Sequence, residues 1–480
     1  MATISSPGVG SGLDVNSIVT QLVALERTPI TQLQKQASTL QTKLSAFGKL
    51  QSNLSALRDA ASALTRATTW NQTTGTSSDA TAVAVTTDGN NKPGSFAVQV
   101  TQLASSQSNV SKVYAATTDL IGEGSLHIEL GSWGAGNAFT PKAGATAIDI
   151  AIGPPAKSLA EVRDMINSSN AGITASVLTD ASGARLVFNS AASGAANGFR
   201  ITATDVDGNN VDTSGLSALA YDPSVGVVTM SQALAAANAA ALVNGVPVSS
   251  TTNTLTNLVE GMTLTLGRVT ATAVQVTTAS DKDSIKKKID DFVTAYNNLN
   301  KELADQTKYD PNAKTAGTLQ GDGTAVGLRS TLRTVLRSPG GTSPVFSRLS
   351  DIGFDVQRDG SIKLDSAKLD NGLANLADLK NLFSTSDTLV PANNGIATTL
   401  RTMADQALGV DGSLASRSEG LRTRISSNEK RQAEMEVRVQ QTEARLRAQY
   451  TALDRKMGEL TSLSSYVTQQ MNLLNNSSSS

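Results

Sequence analysis

From Pro29 to Ala67 the apolar residues fall on one stripe: Ile30, Leu33, Ala37, Leu40, Leu44 and Phe47, then Leu50, Leu54, Leu57, Ala61 and Leu64. Steps of three and four residues are those of a helix seam, and the skipped step between Phe47 and Leu50 locally disturbs an otherwise regular heptad. Thr28 is placed to cap this helix, and Pro29 suits its first position. Unbroken, the rod is roughly 60 Å long at the helical rise per residue. No small globular core covers so long a stripe, so another helix must run along it.

The far end of the chain supplies one. Leu421, Ile425, Met435, Val439 and Leu446 share a three-four register, and Tyr450, Leu453, Met457, Leu460, Val467, Met471 and Leu474 continue it after a stutter. Charges between them alternate in sign, as on a solvated coiled-coil face. The bland alternative is two unrelated surface helices. Matching seams at both ends are more simply explained if they pair with each other and with helices of a partner. Leu33, Leu40, Leu44, Phe47, Leu453, Met457, Leu460, Val467, Met471 and Leu474 are therefore the expected contact face for partner helices.

Between the seams the period changes from helical to alternating. Residues 81–87, 94–104, 125–130, 184–190 and 261–267 alternate apolar and polar side chains and are bounded by Gly, Asn and Asp turns, which predicts antiparallel sheet. Residues 158–169 predict a short helix, and helix returns at Asp281 with the seam Ile285, Ile289, Phe292, Tyr296, Leu299 and Leu303. The fold class is therefore α+β and multidomain: long terminal helices form a coiled-coil leg, with β-rich head domains nested inside it. The expected boundaries are a terminal coiled-coil region, 1–45 with 430–480, and a helical leg, 46–75 with 280–429. A β-rich head follows, 76–113 with 240–279, and an outer β-rich head with short helices, 114–239. Residues 70–420 are expected to fold without the terminal segments, because isolated seams do not offset the backbone entropy of ordering.

Catalysis finds little to work with. The single histidine, His127, lies in a strand-like stretch and reads as a sheet-surface residue rather than a base. Residues 205–212, DVDGNNVD, resemble a calcium loop, but glycine stands fourth rather than sixth and Leu216 occupies the twelfth position where a bidentate Glu is required, so a hairpin turn is the better reading. Asp290 and Asp291 are helix neighbours that point to different sides. No catalytic, metal or cofactor-binding residues are expected, and no enzyme. The glycines Gly8, Gly10 and Gly12 lack the preceding strand of a dinucleotide cradle and read as a mobile arm. The arm ends at Asp14, which can cap a helix carrying Leu13, Ile18, Val19, Leu22 and Leu25.

Charge is nearly balanced overall, at -1, which leaves no basic field for nucleic acid or anionic lipid. The balance is uneven, however: residues 114–279 carry 12 acidic and 6 basic side chains, and residues 1–70 carry 3 and 6. No apolar run reaches the length of a membrane span, so no membrane insertion is expected. The chain has no cysteine and no basic-then-apolar leader, which speaks against disulfides and against ordinary signal-peptide secretion.

The stretch SSPGVGSGLDVNSIVTQLVALERTPITQLQ resembles the N-terminal signature of the bacterial flagellar filament-cap family, the hook-associated protein 2 family. ALVNGVPVSSTTNTLTNLVEGMTLTL (241–266), IDDFVTAYNNLNKEL (289–303), GTLQGDGTAVGLRSTLRTVL (317–336) and LSDIGFDVQRDGSIKLDSAKL (349–369) resemble further blocks of the same family. LRAQYTALDRKMGELTSLSSYVTQQM resembles its closing helix, and residues 158–190 resemble an insert shared with some flagellins.

The resemblance implies a structural cap at the distal tip of the flagellar filament, retaining exported flagellin and promoting its polymerisation. It further implies a homo-oligomeric ring of about five copies, with flagellin, a hook-filament junction protein and a type III export chaperone as partners. The location implied is extracellular, at the flagellum tip, reached through the flagellar type III system without a cleaved signal peptide. The rival readings are a surface adhesin, whose acidic head is the binding module, and another axial protein of the flagellum such as the hook-filament junction protein.

Overall fold

The computed structural model describes residues 14–477, apart from Asn90 and the side chains of 474–477. In chain order the helices are α1 (Val15–Glu26), α2 (Thr28–Thr65), the short α3 (Ala67–Trp70) and α4 (Leu159–Ser168). They continue with α5 (Lys282–Thr307), α6 (Gly323–Arg337), α7 (Ser366–Ala374), α8 (Leu376–Ser384), α9 (Ile396–Leu408) and α10 (Ser413–Ser477). Most of the strands lie between α3 and α5. The chain divides into a helical unit, Met1–Arg66 with Lys286–Ser480, and a β-rich unit, Ala67–Ile285.

In the helical unit the long stripe of α2 is covered from its middle onward. Phe47, Leu50, Leu54, Leu57, Ala61 and Leu64 have no solvent exposure. α2 packs against α9 and α10, and Gln51 of α2 donates to the Ser418 hydroxyl of α10 at 3.3 Å. Full burial of one such leucine is worth about 1.5–3 kcal/mol, so this half of α2 is a principal source of the unit's stability. A piece comprising residues 70–420 lacks α2 and so cannot keep this core; the expectation that it folds alone is corrected here.

The seam of α5 is likewise interior. Ile285, Ile289, Phe292, Tyr296, Leu299 and Leu303 are fully buried, and Asp281 accepts from the Ser284 N–H at 2.9 Å, as a capping residue should. Phe292 packs against Phe354 and Phe383 with ring centroids 6.3–6.4 Å away. Asp322 caps α6 through the Thr324 and Ala325 N–H groups, while its other oxygen takes both Nε and Nη2 of Arg417, 3.1 and 2.7 Å away. That one carboxylate ties the start of α6 to α10.

The β-rich unit has two hydrophobic cores. In the first, a five-stranded sheet runs in the order 73–77, 274–280, 94–102, 239–243, 246–250. A three-stranded sheet, 254–259, 262–266, 83–87, accompanies it, and Val83, Val98, Val100, Met262, Leu264 and Val276 fill the core. The strands 239–243 and 246–250 are joined by Asn244 and Gly245 alone. Both have positive φ, 50° and 81°, as a two-residue hairpin turn of matching twist requires. Asn244 also bonds Ala97 from both its backbone and its side chain, each at 2.8 Å.

The second core lies between a six-stranded sheet built around the strand 120–133 and a four-stranded sheet, 231–234, 108–110, 183–190, 173–180. Leu126, Ile128, Phe188 and Phe199 meet Leu159, Val162 and Ile166 of α4 there. α4 begins with a reciprocal capping box, Ser158 with Glu161. The passage between the two cores falls earlier than residue 113 on the way out, because 108–110 already pairs in the outer sheet. Ser105 and Ala237 form an antiparallel bridge at the crossing. Gln107, fully buried, accepts from the Phe199 N–H and the Trp133 indole, both at 3.0 Å, and donates to the Phe199 carbonyl at 2.9 Å.

Candidate functional site

The candidate contact face lies along α1, α2 and α10. Asp14 caps α1 by accepting from the Ser17 N–H at 3.0 Å, but the face α1 turns inward carries Val15, Val19 and Val23, while Leu25 is exposed. Leu13 lies outside the described residues. α1 and α2 are separated by Arg27 alone, which keeps helical dihedrals, φ -80° and ψ -12°. Thr28 therefore starts α2 rather than capping it, since no extended residue intervenes from which a side-chain oxygen could turn back onto the helix.

α10 runs antiparallel to both. Arg447 reaches Asn16 at 3.1 Å, Arg27 pairs with Glu436 at 2.5 Å, and Ser418 receives Gln51. Val15, Val19, Val23, Ile30 and Val439 form a small core there, with Met435, Leu446 and Tyr450 against it. The two terminal seams thus pair with each other as far as Tyr450. Beyond it no described element covers the helix.

The expected face divides accordingly. Phe47 is fully buried in the helical unit and is unavailable to any partner, which removes it from the face. Leu33, Leu40 and Leu44 are half-buried. Leu453, Met457, Leu460, Val467 and Met471 are 39–58% exposed, and Leu474 lies outside the described side chains. Leu463, Tyr466 and Leu473 are exposed as well and were missed by the single-stripe reading. Their own three-four spacing, with Gln470 in the fourth place, marks a second stripe beside the first. An apolar face two stripes wide exceeds what one partner helix covers.

The polar side of this segment offers no competing chemistry. Lys456 pairs with Glu459 at 3.1 Å and Arg447 with Glu443 at 2.9 Å, exposed pairs that contribute tenths of a kcal/mol. In the β-rich unit His127 stands on the sheet surface and bonds Asp149 of the neighbouring strand at 2.8 Å. Residues 206–215 form an irregular loop before a short turn of helix, not the expected hairpin. Its carboxylates are consumed locally: the Ser217 N–H donates to Asp205 at 2.9 Å and the Ser217 hydroxyl to Asp212 at 2.7 Å. The latter bond is the main influence holding the Asp212 pKa below its ordinary value. Among the described residues no group of three His, Cys, Asp or Glu side chains is placed to hold a metal ion, and no helix is long and apolar enough to cross a membrane.

Comparison with known proteins points the same way along the whole chain. Residues 11–107 match the family model for the flagellar hook-associated protein 2 N-terminus, and residues 236–462 that for its C-terminus. Residues 154–192 match the flagellin hook IN motif. The flagellar hook-associated protein 2 of Escherichia coli K12 is 31% identical over 100% of both chains. The A-type protein of that name from Pseudomonas aeruginosa is 30% identical over 97% of each. Among solved structures, the D1-D2-D3 domains of the flagellar cap protein FliD from Escherichia coli superpose with a TM-score of 0.60 at 28% identity. That superposition covers 78% of this chain and 99% of the other.

Proposed function

The chain belongs to the flagellar hook-associated protein 2 family, structural proteins that cap the flagellar filament and promote flagellin polymerisation, and we propose that it docks through the distal half of α10. The observation that carries this reading is the run from Leu453 to Leu473, apolar on two stripes and without cover from any described residue. Each of these side chains leaves water only if a partner helix lies over it, at about 1.5–3 kcal/mol per side chain fully buried. Two stripes call for two neighbours, so the occupants are α10 of adjacent copies in a ring and the terminal helices of flagellin at the filament end. The half-buried Leu33, Leu40 and Leu44 extend the face onto α2.

The reading extends to the route and the company. A chain without cysteine passes unfolded through the flagellum's own export channel with no disulfide to reduce. A hook-filament junction protein beneath the cap and an export chaperone complete the partners that the family resemblance suggests.

The test is complementation in a deletion strain. Cells lacking the protein are expected to carry hooks without filaments and to release flagellin into the medium. Met457→Asp with Leu460→Asp is expected to fail to restore swimming while leaving the thermal unfolding of the purified protein unchanged. Full swimming with both substitutions removes this face from the assembly.

A further inference from the structure

One side of α6 carries charge that the packing of the helical unit does not use. Arg329, Arg333 and Arg337 recur at every fourth residue, so they line one side of the helix, flanking the buried stripe Leu328, Leu332 and Leu336. All three act on the Tyr296 hydroxyl, which donates to the Gly360 carbonyl at 3.0 Å. Burial raises the pKa of that hydroxyl, and the three guanidiniums oppose the rise. Arg329 is itself pulled below the ordinary guanidinium value, first by burial and then by the like charge of Arg333.

No carboxylate among the described residues lies within ion-pair distance of these three side chains. The nearest acidic influence is Asp359, one of whose oxygens accepts from the Ser361 N–H and hydroxyl, at 2.9 and 2.7 Å, and whose charge reaches Arg329 and Arg333 without a hydrogen bond. Arg333 donates to the backbone carbonyl of Asp359 instead, at 2.9 Å. The Nε atoms of Arg329 and Arg333 are shielded from solvent and have no hydrogen-bond partner. Like charges one turn apart destabilise a helix, and shielded donors without acceptors add to that. One carboxylate that acts on Arg329 and Arg333 without touching them does not balance three guanidiniums, which leaves the cluster suited to further anionic charge from a partner.

We propose that the Arg329, Arg333 and Arg337 side of α6 is a docking surface for an acidic protein helix bearing carboxylates one turn apart. The spacing selects the occupant. Arg329 and Arg337 are separated by about 12 Å along the helix axis, too far for one small anion, whereas carboxylates at i, i+4 and i+8 meet each guanidinium fork in turn. The chain's net charge of -1 provides no wider basic field for a nucleic acid to follow.

The experiment titrates the full chain with a labelled synthetic helix carrying Glu at i, i+4 and i+8, with a Gln counterpart as control. The Glu helix is expected to bind and the Gln helix not. Affinity is expected to fall about tenfold in the R337Q variant and about a hundredfold in the variant with all three arginines changed to Gln. Arg337 is exposed, so R337Q leaves the core intact and keeps the test valid if the triple variant folds poorly. The thermal midpoint of R337Q is expected to equal or exceed that of the parent, because a like-charge contact is relieved. A purely structural role would lower it. Equal binding by R337Q and by the parent overturns the proposal, as does equal binding of the Gln helix. Complete displacement of the Glu helix by millimolar inorganic phosphate also overturns it, since the site is then one for small anions.

Discussion

The two halves of α10 carry the same heptad and have opposite fates. Leu414 and Leu421 are interior to the helical unit, and Val439 is closed over by α1. From Leu453 onward the same spacing of leucine and methionine stands in solvent. The apolar three-four spacing does not separate them, although charged side chains end at Glu459 and the polar side beyond it is Ser, Thr, Gln and Asn. Periodicity therefore records that a helix needs cover and leaves open whether that cover is its own chain or another. The difference lies in where α1 meets α10: the small core that α1 forms with α10 reaches as far as Tyr450, and the apolar side chains from Leu453 onward are exposed.

The sharpest way to break this distinction is to place a charge in each half. Leu421→Asp puts an unpaired carboxylate into a closed core and is expected to cost at least about 4 kcal/mol, enough to unfold the helical unit, as circular dichroism in a thermal scan would register. Val439→Asp faces only α1 and a small core, so about 2 kcal/mol is expected, with α1 detaching before the rest. Hydrogen exchange should localise that loss to residues 15–26. Equal costs for the two would mean that α1 is held as firmly as α2.

Covered and uncovered groups can also be compared by pH in the β-rich unit. The Tyr114 hydroxyl is shielded and has no hydrogen-bond partner, and burial, assisted by Asp119, pushes its pKa up to about 12 from 10. The folded state favours the neutral phenol, so this contribution is complete below pH 10 and is lost as pH rises toward 12. About 1 kcal/mol or less is expected after allowance for partial exposure. Tyr114→Phe should flatten that alkaline slope and leave stability at neutral pH unchanged or slightly higher, measured by urea unfolding. The smallest effect belongs to the distal half. Met457→Asp with Leu460→Asp is expected to shift the free chain by less than about 0.5 kcal/mol, although swimming is lost. A large shift in the free chain would erase the contrast between the halves.

Much of the fold was legible because its signals are local. The three-four steps in α2, α5 and α10 and the alternation in the strands each arise within a few residues. What was not legible depends on contacts distant in sequence. Thr28 has good capping chemistry, yet α1 reaches almost to it and removes the extended residue a cap needs. Residues 108–110 resemble their neighbours in composition, and only pairing with 183–190 and 231–234 assigns them to the outer sheet. Phe47 belongs to the same stripe as Leu44, but helices from the other end of the chain close over it. The second apolar stripe at Leu463, Tyr466 and Leu473 was readable in principle from its spacing; following a single register along the helix passed over it.

The bridge between Ser105 and Ala237 has a consequence for how the molecule tolerates change. Those residues exchange backbone hydrogen bonds of 2.9 and 3.1 Å, so the chain leaves the first core and returns to it at the same point. Everything from residue 106 to 236 is thus a cassette with adjoining ends, spliced into a loop of the inner sheet system. Partners in such a bridge lie about 5 Å apart, a gap that a two-residue turn spans. Exchange of the cassette for a two-residue turn is expected to keep the register of the strands of the first core, at the loss of the Ser193–Thr251 and Ala195–Asn238 hydrogen bonds.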